Sequence, residues 1–386
     1  MNIDKIKDDK DNITNFIKQK FELKDDEFNI ELEKLMGFSN SNYIVIIKRK
    51  LSGNLLGKYV YRKFGIVSQK YDKNLEFSII KYLFKKGIGP NIYIEDKAYS
   101  ICQYLEDTKN LDLNHLFDEY IINSIIKILI IYNSICHIYK YNFINNKIIF
   151  KQIENNEEKK LFCESIHYNN VMDIFYKRAL DNFNIFKKKF NKNISNNMEY
   201  ENNFKKIDNF FNNFENLYKM IIPKEGIMVL NHNDCFSLNI MIRERDKNIF
   251  IIDNEYAALN FLGYDISYYI CESHFSYENL FSFSIPEIDI DKCFNVYFMK
   301  YINEFKKANK NILNENDKLF DEIKTKKYYI NLSLIANLFL YIYVLCYLDY
   351  DKWVKNKDKD FYFSSGVYRV NLYNYFKNHL DSITKK

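Results

Sequence analysis

Asp234 lies two positions after His232 and five before Asn239, and a second acidic loop, Ile252-Asp253-x-Glu255-Tyr256, follows closely. These side chains are the inventory that phosphoryl transfer from ATP requires. One carboxylate must stand near the attacking hydroxyl, and an amide oxygen with a second carboxylate must hold Mg2+ on the phosphates. Either motif alone would suit a polar turn. Both in this order, each fed by an apolar strand, match a catalytic loop followed by a metal loop.

The elements that must position these loops are legible as patterns. Residues 226–230 and 248–252 read as short strands, with the charged turn 243–247 between them, so a single β-hairpin is expected to carry both loops. Upstream, a charged helix over 13–23 leads into strands over 42–48 and 58–64, joined by a loop containing Gly53 and Gly57. A helix over 74–86 follows, with Leu75, Ile79 and Leu83 on one face, and Gly87-Ile88-Gly89-Pro90 ends it. Two more strands are expected at 91–95 and 100–104. The rest reads as mainly helical. Residues 120–139 form an apolar helix, residues 140–200 are Asn/Lys-rich and resist placement, and Phe204, Ile207, Phe211, Phe214 and Tyr218 recur at helical spacing. The fold class expected is α+β in two lobes: a β-rich N-lobe over 1–105 and a larger, mainly helical C-lobe over 106–386.

Bulk properties exclude several alternatives. A chain of 386 residues with 47% hydrophobic content can bury a sizeable core. Its 33 Tyr and 33 Phe accompany abundant Lys, Asn and Ile, a bias of AT-rich coding that discounts any single aromatic as a functional signal. The net charge of +5 is too slight for a nucleic-acid partner without clustering, and the run Lys187 to Lys189 reads as a solvated helix face. Seven Cys with no C-x-x-C pair read as buried thiols in a reducing cytoplasm. The charged first ten residues carry no signal-peptide pattern. The longest apolar stretch, 332–348, contains Asn337 and reads as a buried helix, so no transmembrane segment is expected.

With these residues in place, the stretch from Val229 onward resembles the choline/ethanolamine kinase family, which has a protein-kinase-like fold. The His232-Asn233-Asp234-x4-Asn239 loop, the Ile252-Asp253-x-Glu255-Tyr256 loop, and Gly263-Tyr264-Asp265-Ile266 leading to Glu272 all match its motifs. Gly37-Phe38-Ser39-Asn40 looks like its phosphate loop, Tyr61-Arg62-x-Phe64-Gly65 like its nucleotide-contacting strand, and Glu76, fourteen residues before Pro90, like its helix Glu. The resemblance implies Asp234 as catalytic base and Asn239, Asp253 and Glu255 as Mg2+ ligands. It implies Ser39, Asn40, Arg62 and Glu76 at the ATP phosphates, and Gln103 and Leu105 in the adenine-contacting hinge. Tyr256, Glu272 and Tyr277 would line an amine pocket, completed by aromatics such as Tyr341 or Phe361.

The implied activity is ATP- and Mg2+-dependent phosphorylation of choline or ethanolamine for phospholipid synthesis, in the cytoplasm. Cys271 and the Glu272 to Tyr277 spacing look like the choline branch. Ethanolamine, or another small amino-alcohol or aminoglycoside-like acceptor, stays open. So does a catalytically dead ligand sensor, although Asp234, Asn239 and Asp253 are all present. Departures from the family pattern bear on the substrate: Met36 and Phe236 are atypical, and the helix over 332–348 lacks the usual Trp residues, the single Trp being Trp353. A homodimer through the N-lobe is compatible with the resemblance.

Overall fold

The computed structural model describes residues 3–35, 40–66, 68–111, 118–144, 147–152, 170–192, 197–275, 280–311 and 319–385. Helix α1 (Ile3–Phe21) is followed by strands β1 (Phe28–Leu35), β2 (Ser41–Arg49) and β3 (Leu55–Lys63). Helix α2 (Lys73–Lys85), strands β4 (Ile92–Glu95) and β5 (Tyr99–Gln103) and the short β6 (Thr108–Asn110) come next. Helix α3 (Glu119–Asn133) leads to β7 (Tyr139–Ile144) and β8 (Lys147–Gln152), then to helices α4 (Asn170–Lys192), α5 (Met198–Asn212) and α6 (Phe214–Ile221). Strands β9 (Glu225–Asn231), β10 (Ile240–Arg243), β11 (Ile249–Ile251) and β12 (Ala258–Phe261) carry the motifs. The principal helices thereafter are α7 (Tyr264–Ser273), α8 (Met299–Ala308), α9 (Lys326–Leu345), α10 (Tyr350–Asn356) and α11 (Phe361–Thr384).

The chain forms two compact units, residues 1–109 with 241–255, and residues 110–240 with 256–386. The first is built on an antiparallel sheet in the order β1-β2-β3-β5-β4. One face is covered by α1, whose Ile13, Phe16 and Ile17 pack on Val45, Ile47, Tyr59, Tyr61 and Ile101. Successive strand residues point to opposite faces, so burying Tyr59 and Tyr61 under α1 turns Arg62 to the other face. The paired strands at 42–48 and 58–64 and the helix at 74–86 are where the sequence placed them. Helix α1 begins ten residues before the expected start at 13. The edge strand β1 was not expected at all, although Phe28, Ile30 and Leu32 alternate with polar residues.

The second unit contains the antiparallel sheet β12-β9-β7-β8 and most of the helices. The expected hairpin of 226–230 with 248–252 does not form. Strand β9 pairs with β12 on one edge and β7 on the other, and β10 is the strand that pairs with β11. The reason is burial: β9 is buried at every residue but Glu225, and a strand buried on both faces takes neighbours on both edges. The 120–139 helix stops at Asn133, where the Ser134 hydroxyl donates to the carbonyl of Ile130 and competes with the helical ladder. The helical run from Phe204 to Tyr218 breaks at Asn213, whose amide donates to Asn209 O.

Helix α9 is long and apolar enough to cross a membrane, yet 94% of its most apolar window is buried inside the protein. It packs against α11, α7 and α4, and a helix surrounded on all sides reads as apolar all round. Of the described cysteines, Cys102 is half-buried and the others are buried free thiols; Cys163 lies outside the described residues.

Gly263 starts α7 at φ 94°, and a β-carbon there would stand 2.6 Å from the Phe298 ring. Strain in the left-handed region and overpacking each cost about 1–3 kcal/mol. Gly263→Ala is therefore expected to lose about 2–6 kcal/mol of stability, read as a lower urea midpoint at unchanged m-value.

Candidate functional site

In the first unit, Arg62 on β3 is the centre of a charge cluster. Its Nη1 donates to Glu76 Oε1 at 2.7 Å, and its Nη2 donates to Asp253 Oδ1 at 2.6 Å and Glu255 Oε2 at 2.9 Å. Helix α2 delivers Glu76 because Asp72 caps its N-terminus, accepting from the backbone N–H groups of Asn74 and Leu75. Asp253 and Glu255 arrive from the end of β11. Asp253 adopts φ 64°, a left-handed conformation that Asp tolerates better than most residues. Asn40 ties the start of β2 to the same cluster, donating to Glu255 Oε2 at 3.1 Å and accepting from Gly65 N at 3.1 Å.

Two further members were missed by the sequence reading. Ser68 donates its hydroxyl to Glu255 Oε2. Lys73 donates to Glu76 Oε2 at 2.7 Å and to Ser68 Oγ at 2.8 Å. The sequence offered no signal for Lys73, because the helix was expected to begin one residue after it, at 74.

Burial works against the Arg62 charge, but Asp253, Glu76 and Glu255 outweigh it and raise its pKa above the ordinary value. Asp253 is pushed up to about 6, first by desolvation, with Arg62 pulling it down and Glu255 and Glu76 pushing it up. It still keeps 34% of its side chain exposed. Such a carboxylate gains from any further cation that reaches it. Among the described residues no group of three His, Cys, Asp or Glu is arranged as a metal cage. Mg2+ is commonly bound by one or two protein oxygens, waters and substrate phosphates, so hard oxygen donors such as Asp253 fit it without such a cage.

At the end of the same sheet, Gln103 N donates to Asn91 O at 2.7 Å and Gln103 Oε1 accepts from Asn91 N at 3.2 Å. Leu105 is buried, and its carbonyl accepts from the Thr108 hydroxyl at 2.7 Å.

In the second unit, the loop after β9 holds Asp234. Tyr268 on α7 donates its hydroxyl to Asp234 Oδ1 at 2.7 Å, and Asn239 Nδ2 donates to Asp234 Oδ2 at 2.9 Å. With its nitrogen on Asp234, Asn239 turns Oδ1, the lobe a hard cation takes, away from that carboxylate. Asp265 accepts from His232 N at 2.7 Å and Asn233 N at 2.9 Å. Burial pushes its carboxyl up to about 7, and these two bonds pull the other way. Asn233 adopts φ 64° and donates to Tyr256 O at 2.8 Å. Neither Tyr268 nor Asp265 was singled out for a role from sequence; the i,i+4 spacing of Tyr264, Tyr268 and Glu272 on α7 was the available signal.

The amine-pocket residues are placed unevenly. Glu272 forms an ion pair with Arg369 Nη1 at 2.6 Å. Tyr256 is buried, its ring edge-on to Phe175 at 5.3 Å. Tyr341 is fully buried and donates to Ile207 O at 2.7 Å, so it belongs to the core. Trp353 packs among Phe186, Phe190, Tyr200, Tyr350 and Phe363. Phe361 meets Phe275 at 6.3 Å. Ser39, with Gly37 and Phe38, and Tyr277 lie outside the described residues.

A strand-rich first unit and a mainly helical second unit define a protein-kinase-like fold. Among solved structures the chain is similar to a choline kinase from Cryptosporidium parvum Iowa II, with a TM-score of 0.59, 17% identity and 97% of each chain covered. It is also similar to a Plasmodium vivax ethanolamine kinase, with a TM-score of 0.55, 15% identity, and 92% of this chain and 85% of that one covered. At these identities the likeness establishes the fold. A sequence profile described as choline/ethanolamine kinase matches residues 35–373, and the chain belongs to that family. No curated protein sequence matches it.

Asp265→Ala leaves two buried backbone N–H groups without their acceptor, at about 1–3 kcal/mol each. The variant is expected to lose several kcal/mol in urea denaturation, and Asp265→Asn, which retains one oxygen, about half as much.

Proposed function

We propose that the protein transfers the γ-phosphoryl group of ATP to the hydroxyl of choline, giving phosphocholine and ADP for phospholipid synthesis in the cytoplasm. The observation that carries the reading is Asp234, with both carboxylate oxygens oriented by Tyr268 and Asn239, in a chain of the choline/ethanolamine kinase family. Asp234 takes the hydroxyl proton as the substrate oxygen bonds to the γ-phosphorus and the bond to the β,γ-bridging oxygen breaks. Arg62 contacts the nucleotide phosphates; a guanidinium offers two forked donors where an ammonium offers a point charge. Glu76 fixes its direction, and Asn40 and Ser39 close over the phosphates. Gln103 and Leu105 contribute the adenine-contacting hinge of an N-lobe over 1–105.

Asn239 Oδ1 and Asp253 are the proposed Mg2+ ligands. Glu255, whose Oε2 already accepts from Asn40, Arg62 and Ser68, would offer its other oxygen to a second ion. When bound, Mg2+ neutralises charge on the transferring phosphates. Positioning and charge neutralisation carry most of the rate in this chemistry.

The C-lobe over 106–386 supplies the amine pocket, with Tyr256, Glu272 and Tyr277 among its lining. A quaternary ammonium needs no hydrogen-bond acceptor and is held by aromatic faces and diffuse negative charge. Glu272 has one oxygen committed to Arg369, which supports choline over a primary amine that must find acceptors for its N–H groups.

The test is ADP release from purified protein with Mg-ATP and choline or ethanolamine in parallel, with choline expected to give the higher kcat/KM. An ethanolamine preference reverses the substrate assignment, and ADP release with neither removes both. Asp234→Ala is expected to lower kcat by about 10²–10⁴-fold with ATP affinity retained; turnover within a few-fold of the parent would dismiss Asp234 as the base.

A further inference from the structure

Lysine is almost never fully buried unless it is paired, yet Lys73 is 7% exposed. It occupies the first position of α2, where the helix dipole disfavours a cation. Both costs are offset by Glu76, three residues along the same helix, and by Ser68, Glu255 and Phe64 of the first unit. Its ammonium donates to Glu76 Oε2 at 2.7 Å and Ser68 Oγ at 2.8 Å, lies 3.9 Å from Glu255 Oε2, and stands over the Phe64 ring at 4.1 Å. Glu76 is thereby a bridge between two cations, with Oε1 on Arg62 and Oε2 on Lys73. Ser68 is a second bridge, receiving from Lys73 and donating to Glu255.

Charge counting shows what this does. Glu76, Asp253 and Glu255 set three negative charges around Arg62, a net of minus two in a desolvated space that would repel a polyphosphate. Lys73 brings the net to minus one, and it holds the two carboxylates against which Arg62 is aimed. Its own donors face inward, at Glu76 and Ser68.

We propose that Lys73 is a positioning residue for the nucleotide: with Ser68 it anchors Glu76 and Glu255 so that Arg62 is presented to the phosphates. It therefore governs nucleotide affinity rather than the chemical step. This inference rests on the ATP reading above.

The experiment compares parent, Lys73→Met, Lys73→Arg and Ser68→Ala for ADP affinity by calorimetry without Mg2+, and for KM(ATP), KM(choline) and kcat with it. Lys73→Met is expected to weaken ADP binding and raise KM(ATP) about tenfold, which corresponds to about 1.4 kcal/mol. Its kcat should stay within about threefold and KM(choline) should not change. Lys73→Arg should restore most of the ADP affinity, and Ser68→Ala should show a smaller loss in the same direction.

A purely structural role would lower the melting temperature and the active fraction while leaving these constants in place, and that result overturns the proposal. So does a loss confined to kcat. If Lys73→Met does not fold, unchanged ADP affinity in Ser68→Ala overturns it. A parent protein that binds no ADP removes the nucleotide reading itself, whereas ADP binding with neither amine phosphorylated removes only the acceptor assignment.

Discussion

One guanidinium shared among three carboxylates is stable only where every participant is held in place. Desolvating each ion costs several kcal/mol, and the attraction between them repays that cost only in good geometry. Much of the first unit can be traced to this requirement. The parity of β3 puts Tyr61 and Arg62 on opposite faces. Asp9 of α1 accepts from the Tyr61 hydroxyl at 3.0 Å and from Lys63 Nζ at 2.6 Å, so the residues on both sides of Arg62 are pinned. Asp72 fixes the start of α2 and with it Glu76. The β11 strand is anchored where Ile251 N donates to Ile88 O at 2.9 Å, two residues before Asp253.

The same economy governs the second unit with neutral donors in place of cations. A buried acid at Asp265 would be a liability by itself, since desolvation favours its protonated form. It is offset by two backbone N–H groups where the chain turns after β9. Asn233 and Asp253 both sit at φ 64°, one in each loop. Left-handed residues cost energy and persist where their surroundings over-determine them. Asn233 is over-determined by Asp265, by its own amide on Tyr256 O, and by Asn260 donating to its Oδ1 at 2.8 Å. Asp253 is held by Arg62. Each strained position therefore stands beside the group proposed to do chemistry.

The sequence made the loops legible because their side chains are functional types at fixed spacing, and it made β2, β3 and α2 legible because their periodicity is clean. Its failures have physical causes. Strand β1 alternates as well as β2 does, but Glu31, Glu33 and Lys34 give it the charge of a solvated segment. The 226–230 strand was given the wrong partner because pairing is a tertiary choice: the strand is buried along nearly its whole length and takes β12 on one edge and β7 on the other. Lys73 and Arg369 were passed over because a lone cation in sequence is usually at the surface, and their significance lies entirely in which carboxylate they meet. The 140–200 stretch hid most of β7 and all of β8 and α4 behind Asn- and Lys-rich composition.

Aromatic abundance was the least informative feature of the sequence, and the packing shows why. Tyr341 and Trp353 are spent on core contacts, the first through its hydroxyl on Ile207 O and the second through its ring among other aromatics. Arg369 stands near the rings of Phe275 and Tyr368, at 5.2 and 5.4 Å, with Glu272 as its counterion. Two aromatic faces and a carboxylate are the chemistry that recognises an alkylammonium, and here part of it serves a cation of the chain itself. In the proposed reaction a substrate ammonium would be left the remaining Glu272 oxygen and the aromatic surface around it. Trp is the strongest cation–π partner, and α9 has none, so under the proposed reading discrimination among amines would fall more on charge and on headgroup desolvation than on ring stacking.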